Sequence, residues 1–298
     1  MRPALAFIFV FFALSNYVHG ARILGLFPHT GRSHHMVFEP LLQKLAERGH
    51  HVTVASFFPL KNPPANYTDV SFEGIAKVGV ETFDLNWFEN PEFILRIPII
   101  GSIYKQVIDF LPLRDMALNM CSKAIDWPPL KEALSKEYDV VLVENFNSDC
   151  MIGMLHVYKI KAPVVSLLSS NLMPWTAERI GATDNPSYVP IITTSFTAQM
   201  KFLERMENTF MKLFLSYWYR QAVQMKEQAM IEKHYGIKIP ELSHLVKNIS
   251  LILINTHHAF NGAKPLVPGL VEVGGMHLNS RREVIPEVSD LNNVYCLI

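Results

Sequence analysis

Apolar residues at the start of the chain form one compact block. Residues 4–14 are almost continuously apolar behind Arg2, and small residues precede Ala21. A positive start, a short apolar run and small residues before the cleavage point are typical of a secretory signal peptide, which we place at residues 1–20. The alternative, an N-terminal membrane anchor, is disfavoured because the run is shorter than the roughly 20 residues of a spanning helix.

The next apolar blocks predict a βαβ unit. Residues 21–27 have the apolar pattern of a buried strand, which Pro28 ends. Apolar residues then recur at helical spacing over residues 35–48, with Ser33 as the expected N-cap and Gly49 at the C-terminal cap position. Residues 51–56 follow as a second strand. Such a unit belongs to a parallel sheet with helices on both faces.

Strands and helices continue to alternate downstream. Strands are expected at residues 70–75, 139–143, 162–168 and 249–254, and helices at residues 130–135 and 152–158. We therefore predict an α/β fold, a Rossmann-like doubly wound parallel sheet, over residues 21–278, followed by a polar linker tail at residues 279–298. The residues that follow the strands should line one edge of the sheet: His34, Glu144, Ser169 and Asn255.

Two apolar helical inserts, residues 88–120 and 200–234, exceed what a minimal doubly wound sheet needs. Inserts at strand ends usually shape a binding site, whereas ordinary core packing is the expectation for most of their residues, such as Phe210 and Leu215. Hydrophobic residues make up 49% of the chain, which leaves apolar surface to bind a hydrophobic ligand or to contact a membrane.

Charge and cysteine content exclude several classes of protein. Lys plus Arg equals Asp plus Glu at 27 each, so nothing favours a nucleic-acid partner. Three cysteines, Cys121, Cys150 and Cys296, are too few for a disulfide scaffold and form at most one bridge. The sequons at Asn66 and Asn248 are candidate glycosylation sites and agree with a luminal address.

A histidine and two carboxylates carry the candidate chemistry. His34 is expected in the loop after the first strand, where its imidazole can act as a general base near neutral pH. Its neighbour His35 is the competing candidate. The end of the strand at residues 139–143 brings Glu144 to the same edge, with Asp149 five residues on, and a carboxylate there would orient the imidazole.

Motifs of other chemistries are missing from the sequence. It contains no G-x-S-x-G elbow, which disfavours covalent acyl transfer, and no G-x-G-x-x-G after the first strand, which disfavours a bound dinucleotide. It also has no H-E-x-x-H, C-x-x-C or D-x-D, so we expect no metal site.

Five spaced motifs resemble a known family. They are Ser-His-His at residues 33–35, Arg-Gly-His-His-Val-Thr at 48–53, Leu-Met-Pro-Trp at 172–175, Asp-Asn-Pro-Ser-Tyr-Val-Pro at 184–190, and Pro-Leu-Val-Pro with Val-Glu-Val-Gly-Gly at 265–268 and 271–275. Together they closely resemble the animal UDP-glucuronosyltransferases, and the insect UDP-glycosyltransferases look nearest. The resemblance runs from Ala21 to about Asn279.

The resemblance implies the N-terminal half of a two-domain GT-B glycosyltransferase. In such an enzyme the matched histidine, His34, deprotonates an acceptor hydroxyl, which attacks the sugar with inversion while UDP leaves. The family's partner aspartate is replaced by Glu144, so either Glu144 or Asp149 would orient His34. The resemblance implies no cofactor. The co-substrate UDP-sugar would be bound mainly by a C-terminal half that, like the membrane anchor, this chain does not match.

The same resemblance assigns acceptor binding to the apolar inserts and to residues 173–175. It nominates four residues to contact a phenol, terpenoid or steroid, because large apolar walls gain free energy by burying such ligands: Phe88, Met173, Trp175 and Phe210.

Three functions remain open from the sequence. The first is an enzyme that transfers a sugar from UDP to a small lipophilic hydroxyl, with the chain expected to be inactive alone because groups that stabilise the departing diphosphate lie elsewhere. The second is a non-catalytic acceptor-binding fragment, which pairs with itself or with full-length subunits. The third is a secreted carrier of hydrophobic ligands. The apolar inserts are also the candidates for contact with a membrane surface.

Overall fold

The computed structural model describes residues 20–79, 93–97 and 99–278. Its centre is a seven-stranded, wholly parallel sheet in the order β3-β2-β1-β4-β5-β6-β7. The strands are β1 Arg22–Phe27, β2 His51–Ser56, β3 Tyr67–Ser71, β4 Val140–Glu144, β5 Val164–Leu168, β6 Ile249–Ile254 and β7 Leu270–Glu272. The predicted doubly wound α/β fold is therefore confirmed.

Helices connect the strands and cover both faces of the sheet. They are α1 Arg32–Glu47, α2 Ile100–Ala124, α3 Pro128–Leu134, α4 Cys150–Val157, α5 Phe202–Tyr219, α6 Met225–Tyr235, and the short α7 Leu242–Leu245 and α8 His258–Asn261. Successive residues of β1 face opposite cores. Ile23 packs with Phe38 and Leu42 of α1, whereas Leu24 packs with Cys121 and Met154 on the other face.

The first βαβ unit differs from its prediction at one end only. α1 begins at Arg32, so Ser33 lies inside the helix and Gly31 is the N-cap residue, in extended backbone. The carbonyl of Gly31 accepts from the amide of His34, so the first turn closes two residues earlier than expected. At the other end Gly49 has a φ of +90°, which confirms its predicted place after the helix.

The other predicted strands are all present, but several of their first or last residues differ from the prediction. The strand at residues 249–254 has the predicted limits, and the strand expected at residues 70–75 begins earlier, at Tyr67. β7 was not predicted, because three residues are too short for a recognisable alternation.

The helical inserts form a third apolar core outside the sheet. α2 and α5 meet there, and α5 continues through a π-helical segment, Arg220–Gln224, into α6. Leu215 is buried in this core as expected, but Phe210 is 54% exposed and stacks on Phe214, so its prediction as a core residue is wrong.

A disulfide joins Cys121 of α2 to Cys150 of α4. Cys296 and Phe88 lie outside the described residues. None of the helices in the described part of the chain combines the length and the apolar character needed to cross a membrane.

Candidate active site

The candidate site lies where the strand order of the sheet reverses. β1 and β4 are neighbours, and the chain winds away from them in opposite directions, through β2 and β3 on one side and β5 to β7 on the other. The crevice at the carboxyl ends of such a strand pair is the usual ligand site of a doubly wound sheet. His34 lies there in the first turn of α1 and not in the loop before it as predicted, because α1 begins at Arg32. Glu144 lies there as the last residue of β4.

His34 makes its polar contacts through one ring nitrogen. Its Nδ1 lies 2.9 Å from Oε1 of Glu144 and 2.8 Å from Oγ of Ser169. The His34 side chain is 17% exposed, whereas Glu144 is 2% exposed. Because the carboxylate can only accept, the geometry favours a proton on Nδ1 and leaves a lone pair on Nε2. Nε2 of His34 makes no hydrogen bond within the described residues.

Two aromatic rings hold the plane of His34. His29 stacks on it with ring centroids 3.6 Å apart, and the edge of Phe146 approaches it at 4.6 Å. Burial, and then the nearby His34, lowers the pKa of His29 to about 4, so His29 is neutral at pH 7. Nδ1 of His29 accepts from the amide of Gly31, which places its own proton on Nε2. Neither His29 nor Phe146 was predicted from the sequence as a site residue.

His35, the competing histidine, lies in the core instead. It is 2% exposed and packs between the rings of Phe27 and Phe58. Burial lowers the pKa of His35 to about 4, which makes it a neutral core residue at pH 7. The structure therefore separates the two adjacent histidines into a site residue and a packing residue.

Asp149, the alternative partner, is held in a buried network and not at His34. Its Oδ2 accepts from Nη2 of Arg179, the hydroxyl of Tyr219 and Nε2 of Gln224, each at 2.9 Å. Its Oδ1 accepts from Nδ2 of Asn145 at 3.3 Å. Glu144 is therefore the carboxylate that contacts His34, whereas both carboxylate oxygens of Asp149 accept hydrogen bonds from other side chains.

The π-helical segment explains how two residues of one helix reach the same carboxylate oxygen. Tyr219 and Gln224 are five positions apart, since Tyr219 precedes the segment Arg220–Gln224 and Gln224 is its last residue. In a regular α-helix residues five apart diverge around the axis, whereas the wider π turn brings them towards one face. Both side chains therefore donate to Asp149. Nothing in the local sequence pattern signals this insertion.

A second buried carboxyl, Glu227, completes the network. It contacts Oγ of Ser148 at 2.5 Å and accepts from the amide of Asp149 at 3.0 Å. Burial, and then the charge of Asp149, raises the pKa of Glu227 to about 8. Arg179 is bound to Asp149, so Glu227 keeps its proton at neutral pH.

The network also holds the backbone that follows Glu144. Oδ1 of Asn145, the next residue, accepts from Oγ of Ser166 on β5 at 2.5 Å, and its carbonyl faces Nη1 of Arg179 at 3.5 Å. On the outer side of β5, Nδ2 of Asn255 donates to the carbonyl of Ser169. All four residues predicted for this edge lie on it, and hydrogen bonds join His34 to Glu144 and Ser169, and Ser169 to Asn255.

The arrangement differs from a serine nucleophile relay. In such a relay the serine and the carboxylate contact different nitrogens of the histidine, so that the proton passes through the ring. Here Ser169 and Glu144 share Nδ1 of His34. Ser169 is therefore placed to support the imidazole, and the free Nε2 is the atom that can take a proton from a bound molecule.

Two adjoining hollows lie at Asn171, two residues after Ser169, and neither His34 nor Glu144 lines them. Both are lined by Asn171, Pro190, Ile191, Ala198 and Asn261, and the larger has a volume of about 610 Å³, within the range of small-molecule sites. The narrower hollow, of about 40 Å³, is also lined by Met173, a predicted acceptor residue.

Two further predicted acceptor residues, Trp175 and Phe210, line neither hollow. Trp175 is 3% exposed and stacks on Tyr219 at 4.0 Å within the third apolar core. Phe210 is on the exposed face of α5 and lines neither hollow.

Both sequon asparagines precede strands. Asn66 comes directly before β3 and Asn248 directly before β6, so they lie at the amino edge of the sheet, opposite His34. Within residues 20–79, 93–97 and 99–278, no three or more His, Cys, Asp or Glu side chains gather in a way that would hold a metal ion.

The fold and the site together define the class of the protein: it is a doubly wound α/β domain with a histidine–carboxylate pair at the switch point of its sheet. A model of the family described as "UDP-glucoronosyl and UDP-glucosyl transferase" matches residues 23–293. The chain belongs to this family of UDP-glycosyltransferases.

Individual relatives agree with the family model. UDP-glucosyltransferase 2 of the insect Dactylopius coccus is 33% identical over 289 residues, which cover 97% of this chain and 54% of that protein. UDP-glucuronosyltransferase 3A2 of Homo sapiens is 28% identical over 273 residues, covering 88% of this chain and 49% of that protein. The chain thus spans about half the length of the curated relatives it matches.

The chains of solved structures that match are less similar to this chain in sequence. The crystal structure of LpCGTa in complex with UDP aligns with a TM-score of 0.32 and 14% identity, over 86% of this chain and 53% of that one.

Proposed function

We propose that this chain supplies the acceptor-binding half of an enzyme that transfers a hexosyl or glucuronosyl group from a UDP-sugar to a small lipophilic hydroxyl compound. Family membership supports sugar transfer in general. The observation that carries the finer proposal is the 2.9 Å contact between Nδ1 of His34 and Glu144 at the switch point of the sheet.

The reaction needs one proton transfer from this half. Nε2 of His34 takes the proton of the acceptor hydroxyl as the acceptor oxygen bonds to the anomeric carbon of the sugar. The bond from that carbon to the diphosphate breaks on the opposite side, so the configuration inverts and UDP leaves. Glu144 stabilises the imidazolium that forms, as a buried carboxylate on Nδ1 does in related general-base catalysis.

The UDP-sugar is proposed to be held mainly by residues that correspond to the other half of the relatives. The chain spans only about half of those proteins, and stabilising a departing diphosphate requires donors aimed at its oxygens. We therefore expect this chain alone to bind acceptors and to transfer no sugar. No cofactor takes part in the proposed reaction.

A transfer assay tests the proposal. Transfer from UDP-glucose and UDP-glucuronate to 2-naphthol is measured for the chain alone and for the chain extended with the remaining part of UDP-glucosyltransferase 2. We expect product from the extended protein only, and its loss in the His34→Ala variant. His51→Ala, an exposed histidine at the start of β2, is the matched control.

Three results would contradict the proposal in different ways. A rate unchanged by His34→Ala in the extended protein would remove His34 as the base. Turnover by the chain alone, if abolished by His34→Ala, would refute only its expected inactivity. Acceptor binding without any transfer, equal in wild type and His34→Ala, would favour a hydrophobic-ligand carrier.

A luminal location in the secretory pathway is part of the proposal. The disulfide between Cys121 and Cys150 needs an oxidising compartment, and the exposed Asn248 is accessible to a glycan. The exposed side of α5 is the proposed membrane contact or association surface, because apolar residues recur on it at helical spacing: Phe202, Met206, Phe210, Leu213 and Tyr217.

A further inference from the structure

A lysine lines the narrower hollow beside the candidate active site. Lys264 follows α8 and shares the walls of this hollow with Asn171 and Met173. Its Nζ donates to Oδ1 of Asn171 at 2.6 Å. Asn171 follows Ser169, which contacts Nδ1 of His34, by two positions, so the ammonium group belongs to the same sheet edge as the candidate base.

The orientation of Asn171 leaves hydrogen-bond donors available. Its Oδ1 accepts both from Nζ of Lys264 and from the amide of Leu172 at 2.8 Å, which fixes the side-chain amide. Nδ2 of Asn171 makes no hydrogen bond within the described residues, and Nζ of Lys264 has two further N–H groups. Neighbouring donors without an acceptor fit a group that only accepts, such as a carboxylate.

The charges around the hollow leave Lys264 without a close anion among the described residues. Asp184 lines the same hollow but forms an ion pair with Lys212. Glu272 raises the pKa of Lys264 from a distance, but its Oε2 accepts from the amide and Nδ1 of His258. Burial is the stronger influence and lowers the pKa of Lys264.

We propose that Lys264 and Asn171 form a subsite for a carboxylate carried by the acceptor, so that the preferred acceptors are hydroxylated aromatic acids. The carboxylate would accept from Nζ of Lys264 and Nδ2 of Asn171, and the apolar wall at Met173 would contact the ring. This subsite orients the acceptor hydroxyl towards His34, and it rests on the proposed function. A glucuronate carboxylate on the donor has the same chemistry and is the alternative source.

Calorimetric titration of the full chain separates these sources. The probes are 2-naphthol, its carboxylated analogue 6-hydroxy-2-naphthoate, UDP-glucose and UDP-glucuronate. We expect the naphthoate to bind about tenfold more tightly than 2-naphthol, the size of one charge-assisted hydrogen bond at a half-exposed site. Lys264→Met should abolish this preference and change 2-naphthol binding less than twofold.

Two further variants distinguish a loss of the carboxylate subsite from a general loss of folding. Asn171→Asp keeps Lys264 but gives it a covalently held carboxylate, so this variant should also lose the preference for the naphthoate. Lys247→Met, a neutralised exposed lysine just before β6 at the opposite edge, should leave both affinities unchanged. Thermal unfolding of each variant is recorded beside the titrations.

The outcomes are distinct. Equal affinity for the two naphthalene probes in the wild type, or a preference that survives Lys264→Met and Asn171→Asp, overturns the subsite. A loss confined to UDP-glucuronate in Lys264→Met assigns the carboxylate to the donor and also overturns it. Failure of both naphthalene probes to bind overturns the subsite together with the proposed acceptor site, whereas 2-naphthol binding without preference leaves the proposed function standing.

Discussion

The buried carboxyl of Glu227 makes the stability of the protein depend on pH in a predictable direction. Its oxygens are bound to Ser148 and to the amide of Asp149, and Arg179 is paired with Asp149. No lysine or arginine of the described chain lies within ion-pair distance of Glu227. The carboxyl therefore stays protonated in the folded protein, while in the unfolded chain water solvates its charge. The proposed perturbation is Glu227→Gln.

The size of the effect follows from the pKa of Glu227, which burial raises from 4.5 to about 8. Between about pH 5 and pH 8 the folded state keeps a proton that the unfolded state has released. Stability from this group is fully present below pH 4.5 and is lost as pH rises to about 8, at up to about 1.4 kcal/mol per pH unit. Glutamine preserves both hydrogen bonds, since its amide donates to Ser148 and its carbonyl accepts from Asp149.

Urea unfolding, followed by tryptophan fluorescence at pH 5, 6, 7 and 8, measures this effect. The free energy of unfolding of Glu227→Gln minus that of the wild type should rise steadily over this range, by a few kcal/mol in total. Glu232→Gln on the same helix is the matched control. Lys238 and Gln228 lower the pKa of Glu232 to about 2, so it is ionised throughout and its difference should stay constant. Parallel curves for Glu227→Gln and wild type would show that the folded protein does not raise the pKa of Glu227.

Three further outcomes are expected. Burial lowers the pKa of His35 to about 4, so the stability that the neutral imidazole contributes is present above pH 6.5 and is lost on acidification. Between pH 7 and 4.5, His35→Leu should therefore lose less stability than the wild type, and equal losses would contradict this. Reducing the bridge between Cys121 and Cys150, 29 residues apart, should lower the free energy of unfolding by about 3 to 4 kcal/mol, and an unchanged urea midpoint would show that the bridge contributes nothing. Asn66→Gln and Asn248→Gln should each remove one glycan from protein secreted by eukaryotic cells, seen as a gel-mobility step; a step absent for either variant means that site is not used.

Local patterns predicted the elements that position His34 and Glu144. β1, α1 and β2 follow from an apolar run, a helical repeat and Gly49, and all three depend on residues close together in sequence. The rule that parallel strands present their carboxyl ends at one edge then placed Glu144 near His34. The 2.9 Å contact between Nδ1 of His34 and Oε1 of Glu144 agrees with that expectation.

Distant pairings explain what the sequence did not reveal. Asp149 was a candidate partner of His34 by proximity to β4, but its Oδ2 accepts from Arg179, Tyr219 and Gln224, between 30 and 75 residues away. The stacking of His29 depends on the backbone turn that places its Nδ1 against the amide of Gly31. Neither arrangement has a periodic signature, because each is set by tertiary packing.

The proton position on His34 is the most direct test of the proposed chemistry. Long-range ¹H–¹⁵N correlation spectra of the chain at pH 8.5, with His34→Gln for assignment, report which ring nitrogen carries the proton. His29, whose Nδ1 accepts from Gly31, should carry its proton on Nε2 and serve as an internal reference of the opposite tautomer. We expect the proton of His34 on Nδ1 and a redistribution towards Nε2 in Glu144→Gln. A wild-type His34 protonated on Nε2 would contradict its role as the base.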